Sequence, residues 1–200
     1  MPKQTLTADK ILTEKQAKLM LKEIGREKDN AVAGSRDVKY INDYFLIAIA
    51  YYSGLRISEM SDLRWADAQP DYLIVRKGKG RKSRSVVLGS HSLRFLSEFR
   101  EVQLNRLGRS CEGSDYLFLG QRGKLGRTGI HLRFKYWLKR LNLASGLSFH
   151  SLRHGYATRL LDNGIPLASV RDQLGHSNVS ITSAYLHFTE EARERLKKIV

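Results

Sequence analysis

The sequence predicts a mainly helical α+β domain with one small antiparallel β-sheet of about three strands. Three observations predict it. Most segments of the 200-residue chain carry apolar side chains at helical spacing. Only one pair of runs, Tyr72-Leu73-Ile74-Val75 and Ser85-Val86-Val87-Leu88, reads as strands. Glycine, proline and asparagine fall between these segments, where the chain must stop and restart. With 42% apolar residues the chain is the size of one ordinary domain and can bury its own core. No repeat, low-complexity run or second domain boundary interrupts it, so residues 1–200 read as a single domain.

Residues 1–10 are polar and read as a loose end. Thr13-Glu14-Lys15-Gln16 has the spacing of a capping box and opens a helix to about residue 28, followed by a loop over 30–37. The next helix spans 38–53, with Ile41, Tyr44, Phe45, Ala48, Ile49 and Tyr52 on one apolar stripe. Gly54 stops it, and a short helix over 56–63 follows at once. The two strand runs pair as a hairpin around Gly78-Lys79-Gly80-Arg81, and residues 63–67 supply a third strand. Helices are then expected over 92–107, 128–141, 151–163, 167–174, 180–187 and 190–199, with Asn163-Gly164, Pro166 and Gly175 as the punctuation. Ala192, Leu196 and Ile199 recur at helical spacing, so the tail helix over 189–200 should dock on something.

Charge narrows the partners. The formal net charge of +15 points to a polyanion, since lysine and arginine gain affinity by releasing counterions from a phosphate backbone. From 116 to 161 there is no Asp or Glu, while Arg122, Lys124, Arg127, Arg133, Lys135 and Lys139 all lie inside that stretch. The run Arg76, Lys77, Lys79, Arg81, Lys82 and Arg84 is equally free of acids. The single cysteine, Cys111, excludes an internal disulfide and a cysteine-rich zinc site, which suits a reducing cytoplasm. The longest apolar stretch, 44–52, is too short to span a bilayer, so no membrane partner is expected.

Six residues carry the chemistry: Arg56, Lys79, His150, Arg153, His176 and Tyr185. Arginine forks match the charged oxygens of a phosphodiester under attack, which gives Arg56 and Arg153 their expected task. His150 and Arg153, spaced i,i+3, share one face at the start of a helix, and Glu59 lies i,i+3 from Arg56, where it can hold that guanidinium. Lys79 sits at a hairpin tip between two glycines. Their contexts are Ser53-Gly54-Leu55-Arg56-Ile57-Ser58-Glu59, Gly78-Lys79-Gly80-Arg81, His150-Ser151-Leu152-Arg153-His154 and Leu174-Gly175-His176-Ser177, with Tyr185 a short helix further on. This ordered set resembles the catalytic domain of the tyrosine recombinases, the family of phage integrases and chromosome-dimer resolvases. The resemblance runs from Leu12-Thr13-Glu14 to the tail after Tyr185, with no substitution at the six positions.

The resemblance implies a site-specific recombinase that breaks and rejoins DNA through a 3′-phosphotyrosyl intermediate, for integration, excision or inversion. In it Tyr185 is the nucleophile, Lys79 the acid that protonates the departing 5′ oxygen, His150 a group that either assists proton removal from the nucleophile or stabilises the phosphorane, and His176 a hydrogen-bond donor to a non-bridging oxygen. Lys77 and Lys82 are rivals of Lys79, and Tyr136 and Tyr156 rivals of Tyr185. No cofactor or metal is expected: the bond energy is kept in the covalent link, and the carboxylate cluster of a two-metal nuclease is missing around His150 and Arg153. Lys77, Arg81, Lys82, Arg122, Lys124, Arg127, Arg133 and Lys135 are the expected DNA contacts. The expected partner is double-stranded DNA, bound by a protein that is monomeric or weakly oligomeric when free and tetrameric on synapsed DNA through its tail helix. The N-terminal clamping domain common in the family is expected to be absent, which leaves room for an accessory protein. A type IB topoisomerase and a non-catalytic DNA-binding regulator of the same fold are the alternatives.

Overall fold

The computed structural model describes residues 10–34, 38–76, 83–113, 115–120 and 123–175. Helix α1 (Glu14–Val32) opens as the sequence predicts: the Gln16 N–H donates to Thr13 Oγ1 at 3.2 Å and the Thr13 N–H donates to Gln16 Oε1 at 3.0 Å. It runs on past residue 28 because Ala31 is buried and Val32 packs on the core.

Helix α2 (Lys39–Ser53) is the centre of the molecule, packed against α1, α4, α5 and α6. Twelve of its fifteen residues are buried, so the single apolar stripe expected from sequence gives way to a helix enclosed on nearly every side. Even Asp43 is inside, accepting from Trp137 Nε1 at 2.9 Å and from Arg133. Burial raises the Asp43 pKa, and Arg133 and Trp137 act against that rise.

Gly54 caps α2 with φ +64°, and a Cβ there would fall 2.4 Å from Cδ1 of Tyr156. Both the backbone and the ring therefore demand glycine. The chain then turns directly into α3 (Ile57–Asp62). Residues 63–67 are not the expected third strand. They form a 3₁₀ turn, Trp65–Asp67, flanked by isolated bridges from Arg64 to Tyr116 and from Ala68 to Leu73. Asp67 decides this locally, since its buried carboxylate accepts the Arg64 N–H at 2.9 Å and pairs with Arg76.

Strands β1 (Tyr72–Val75) and β2 (Arg84–Val87) pair antiparallel, from Tyr72 opposite Val87 to Val75 opposite Arg84. A second hairpin, β3 (Leu119–Gly120) with β4 (Gly123–Lys124), is too short and glycine-rich to show as strand in the sequence. Helix α4 (Ser90–Glu101) ends in a π-helical turn, Val102–Arg106, and α5 (Arg127–Arg140), α6 (Phe149–Asp162) and α7 (Leu167–Leu174) follow. The architecture is thus mainly helical with small antiparallel sheets, the predicted fold class. Among the described residues no helix is long and apolar enough to cross a membrane. The helices expected over 180–187 and 190–199 lie outside the described residues, as do Lys77, Lys79, Arg81, Lys82, Arg122, His176 and Tyr185.

Candidate active site

Three arginines from three elements close around one carboxylate. Arg56 stands just before α3, where its N–H donates to Glu59 Oε2 at 2.8 Å and its Nη1 to Glu59 Oε1 at 3.0 Å. The i,i+3 pairing expected between them is therefore present. Arg84 of β2 reaches the same carboxylate with two donors, Nη1 to Oε1 at 2.6 Å and Nη2 to Oε2 at 3.0 Å. Arg153 of α6 lies with Nη1 4.0 Å from Glu59 Oε2. Its side chain is 1% exposed, against 35% for Arg56, so Arg153 forms the floor of the site and Arg56 its rim.

Sharp local turns bring these groups together. The left-handed Gly54 turns its carbonyl to Arg153, which donates Nη1 to it at 2.8 Å, and two residues later the chain delivers Arg56. Arg153 Nη2 also donates to Leu174 O at 2.7 Å, at the end of α7. Arg56 reaches the same helix end at 3.4 Å to Leu174 O and Gly175 O, and Arg84 Nε reaches Gln173 O at 3.3 Å. A helix C-terminus carries partial negative charge, so its carbonyls help to hold a cluster of guanidiniums whose mutual repulsion would otherwise spread it.

Electrostatics follow from this packing. Burial alone would raise the Glu59 pKa. The hydrogen bonds and charge of Arg84, then those of Arg56, outweigh it and hold the carboxyl down to about 2. His150, one turn before Arg153 on α6, is lowered to about 4 by desolvation, then by the charges of Arg153 and Arg56, with Glu59 opposing. The residue remains open to solvent, which limits what desolvation contributes and makes the two like charges the firmer cause of the direction. His154 crosses the His150 ring edge to face, at 4.6 Å between centroids.

The other expected DNA contacts divide. Lys124 and Arg127 line an open cleft with Ser58, Ser61, Asp62 and Gly126, where Lys124 pairs with Asp62 at 2.7 Å. Arg133 instead turns inward to Asp43, and Lys135 donates to the carbonyls of Ser145 at 2.6 Å and Leu147 at 2.8 Å. Of the rival tyrosines, Tyr136 is tied to Tyr40 and Arg140. Tyr156 is buried with its hydroxyl accepting from Gln173, and burial pushes its pKa up, against a phenolate. Sequence reasoning counted Arg84 only as a member of a basic run, missing its place on Glu59, and missed Gln173 altogether. The available signal was alternation, because Arg84 shares its strand face with the buried Val86.

Known proteins resemble this chain in sequence and in fold. The model of the phage integrase family matches residues 10–192. A tyrosine recombinase of Pseudothermotoga lettingae is 35% identical over 158 residues, covering 78% of this chain and 53% of the relative. A tyrosine recombinase XerD of Listeria innocua is 31% identical over 185 residues, covering 90% of this chain and 62% of the relative. The chain thus spans about half to three fifths of the length of these relatives. Among solved structures, the XerA recombinase superposes with a TM-score of 0.74 at 22% identity, over 94% of this chain and 64% of that one. The XerH site-specific recombinase, bound to its palindromic difH substrate, gives 0.73 at 24% identity, over 96% and 54%. At that identity the two structures speak for the fold, and the fold, the family match and the sequence relatives all lead to one conclusion: this chain belongs to the phage integrase family.

Proposed function

We propose that the chain is the catalytic domain of a site-specific recombinase that cuts and rejoins double-stranded DNA through a 3′-phosphotyrosyl link. The observation that carries this reading is the meeting of Arg56, Arg153 and His150, from two distant parts of the chain, beside one carboxylate that orients Arg56. Two guanidiniums in one place suit a phosphodiester gaining charge on its non-bridging oxygens. Arg56 binds from the rim, and Arg153 adds its charge from the floor. The neutral imidazole of His150 at pH 7 is a proton acceptor.

In the proposed step the Tyr185 phenolic oxygen attacks phosphorus, giving up its proton towards His150. The bond from phosphorus to the 5′ oxygen breaks, and that oxygen takes a proton from Lys79. Attack by the 5′-hydroxyl of another strand reverses these transfers and releases Tyr185, so no cofactor or external energy is consumed. The roles of Lys79, His176 and Tyr185 rest on the sequence pattern. Lys77, Arg81, Lys82, Arg122, Lys124 and Arg127 are assigned to the DNA backbone. A tetramer on synapsed DNA, joined through the tail helix, and a cytoplasmic location complete the proposal.

The test is covalent trapping. Duplexes enriched by the protein from random-sequence DNA are nicked beside the candidate cleavage position and incubated with wild type or Tyr185→Phe, without metal. The expected result is a protease-sensitive adduct on a denaturing gel with wild type alone, restricted to particular sequences. Adducts on any sequence would favour the topoisomerase reading. Binding with no adduct from wild type would reduce the protein to a DNA-binding regulator.

A further inference from the structure

We propose that Arg84 is a positioning residue for phosphate chemistry: it anchors and neutralises Glu59, so that Glu59 can orient Arg56 without cancelling the positive charge of the site. This rests on the functional reading above and adds a residue to it. Glu59 is 11% exposed and faces three guanidiniums. Two of the four short contacts to its oxygens come from Arg84, at 2.6 and 3.0 Å, in a fork-to-fork arrangement. Arg56 contributes the other two, one from its backbone and one from Nη1, and Arg153 is held off at 4.0 Å. With Arg84 present, three cations face one anion. Without it the carboxylate would be left to Arg56 and Arg153, drawing in the N–H groups that a phosphate needs and halving the net charge.

Arg84 is unsuited to touching DNA itself, since its side chain is 11% exposed and spent on Glu59 and the Gln173 carbonyl. The fold makes a slot for it. Gly175 closes α7 with φ +67°, and a Cβ there would meet Arg84 Cδ at 2.7 Å and Nε at 2.8 Å. Gln173 fastens the same strand, accepting from the Val87 N–H at 3.2 Å and donating to the Val87 carbonyl at 2.8 Å. Arg84 therefore registers β2, α3 and the end of α7 on a single carboxylate.

The experiment compares wild type, Arg84→Met, Glu59→Gln and the double variant for adduct formation rate, DNA affinity and melting temperature, on the trapped substrate. Arg84→Met should slow adduct formation about 10- to 100-fold, the scale of a misplaced catalytic group, with DNA affinity little changed. The double variant should be faster than Arg84→Met, because removing the unneutralised carboxylate restores the net charge. A merely structural role predicts the opposite order, since each substitution removes packing. Should Arg84→Met melt below the assay temperature, Arg84→Lys carries the test: it keeps the charge, loses the fork, and should cleave more slowly than wild type at equal affinity. Wild-type cleavage by either Arg84 variant, affinity and cleavage lost in proportion, or a double variant no faster than Arg84→Met would overturn the role of Arg84 alone. Wild-type protein that binds the duplex yet forms no adduct would overturn the functional reading, and this inference with it.

Discussion

Glu59 concentrates more consequence than any other described side chain, because a buried carboxylate among guanidiniums links stability to pH. Its carboxyl titrates near 2 in the folded protein, against an ordinary value of 4.5, so the ionised form favours folding. That contribution is complete above pH 4.5 and is lost as pH falls towards 2. The shift corresponds to about 3 kcal/mol between those limits. Glu59→Gln should remove this part of the acid sensitivity, which urea melts at a series of pH values between 2 and 5 would show as a shallower fall in stability than wild type. Equal slopes in the two proteins would mean that Glu59 is not held by its arginines in solution. His150 obeys the same logic with opposite chemistry, since desolvation and then the neighbouring charges of Arg153 and Arg56 disfavour the imidazolium and keep the ring neutral at pH 7.

At the scale of elements, the joint between α2 and α3 sets the site. Gly54 turns through the left-handed region, offers its carbonyl to Arg153 and leaves room for the Tyr156 ring. Gly54→Ala combines an unfavourable φ with an overpacked contact, together worth about 2–4 kcal/mol. The expected outcome is a lowered melting temperature together with slowed DNA cleavage, because the same displacement moves Arg56 relative to Arg153. A variant as stable as wild type would show that the ring yields easily. The elements also mark where local sequence speaks clearly. The capping box of α1, the glycine stop of α2 and the bounds of α7 were all legible, because each is written in a few adjacent residues. The turn at 65–67 was not, because the buried Asp67 and its partner Arg76 overrule the apolar character of the run.

Across the whole molecule the excess of 35 basic over 20 acidic residues should dominate DNA affinity. Binding measured against salt should give a straight line in logarithmic coordinates, with about 10³- to 10⁵-fold lost between roughly 50 and 200 mM if six to ten phosphates are engaged. A shallow slope would sink the polyanion reading of this charge. Some of that charge is compensated within the protein, as Arg133 on the buried Asp43 demonstrates, so the slope should be smaller than the formal charge alone suggests.

By itself the sequence determined the fold class and, among the described residues, the order of the helices, since amphipathic spacing and capping motifs are local properties, while the grouping of Arg56, His150 and Arg153 came from resemblance to a family. Only the tertiary structure decided that α2 is enclosed rather than half-exposed, and that Arg84 joins Arg56 and Arg153 on Glu59. The reason is physical: a residue's burial and ion-pair partners depend on elements far along the chain. Glu59 and Arg84 are 25 positions apart, and no local pattern records that the folding of β2 against α3 makes them neighbours.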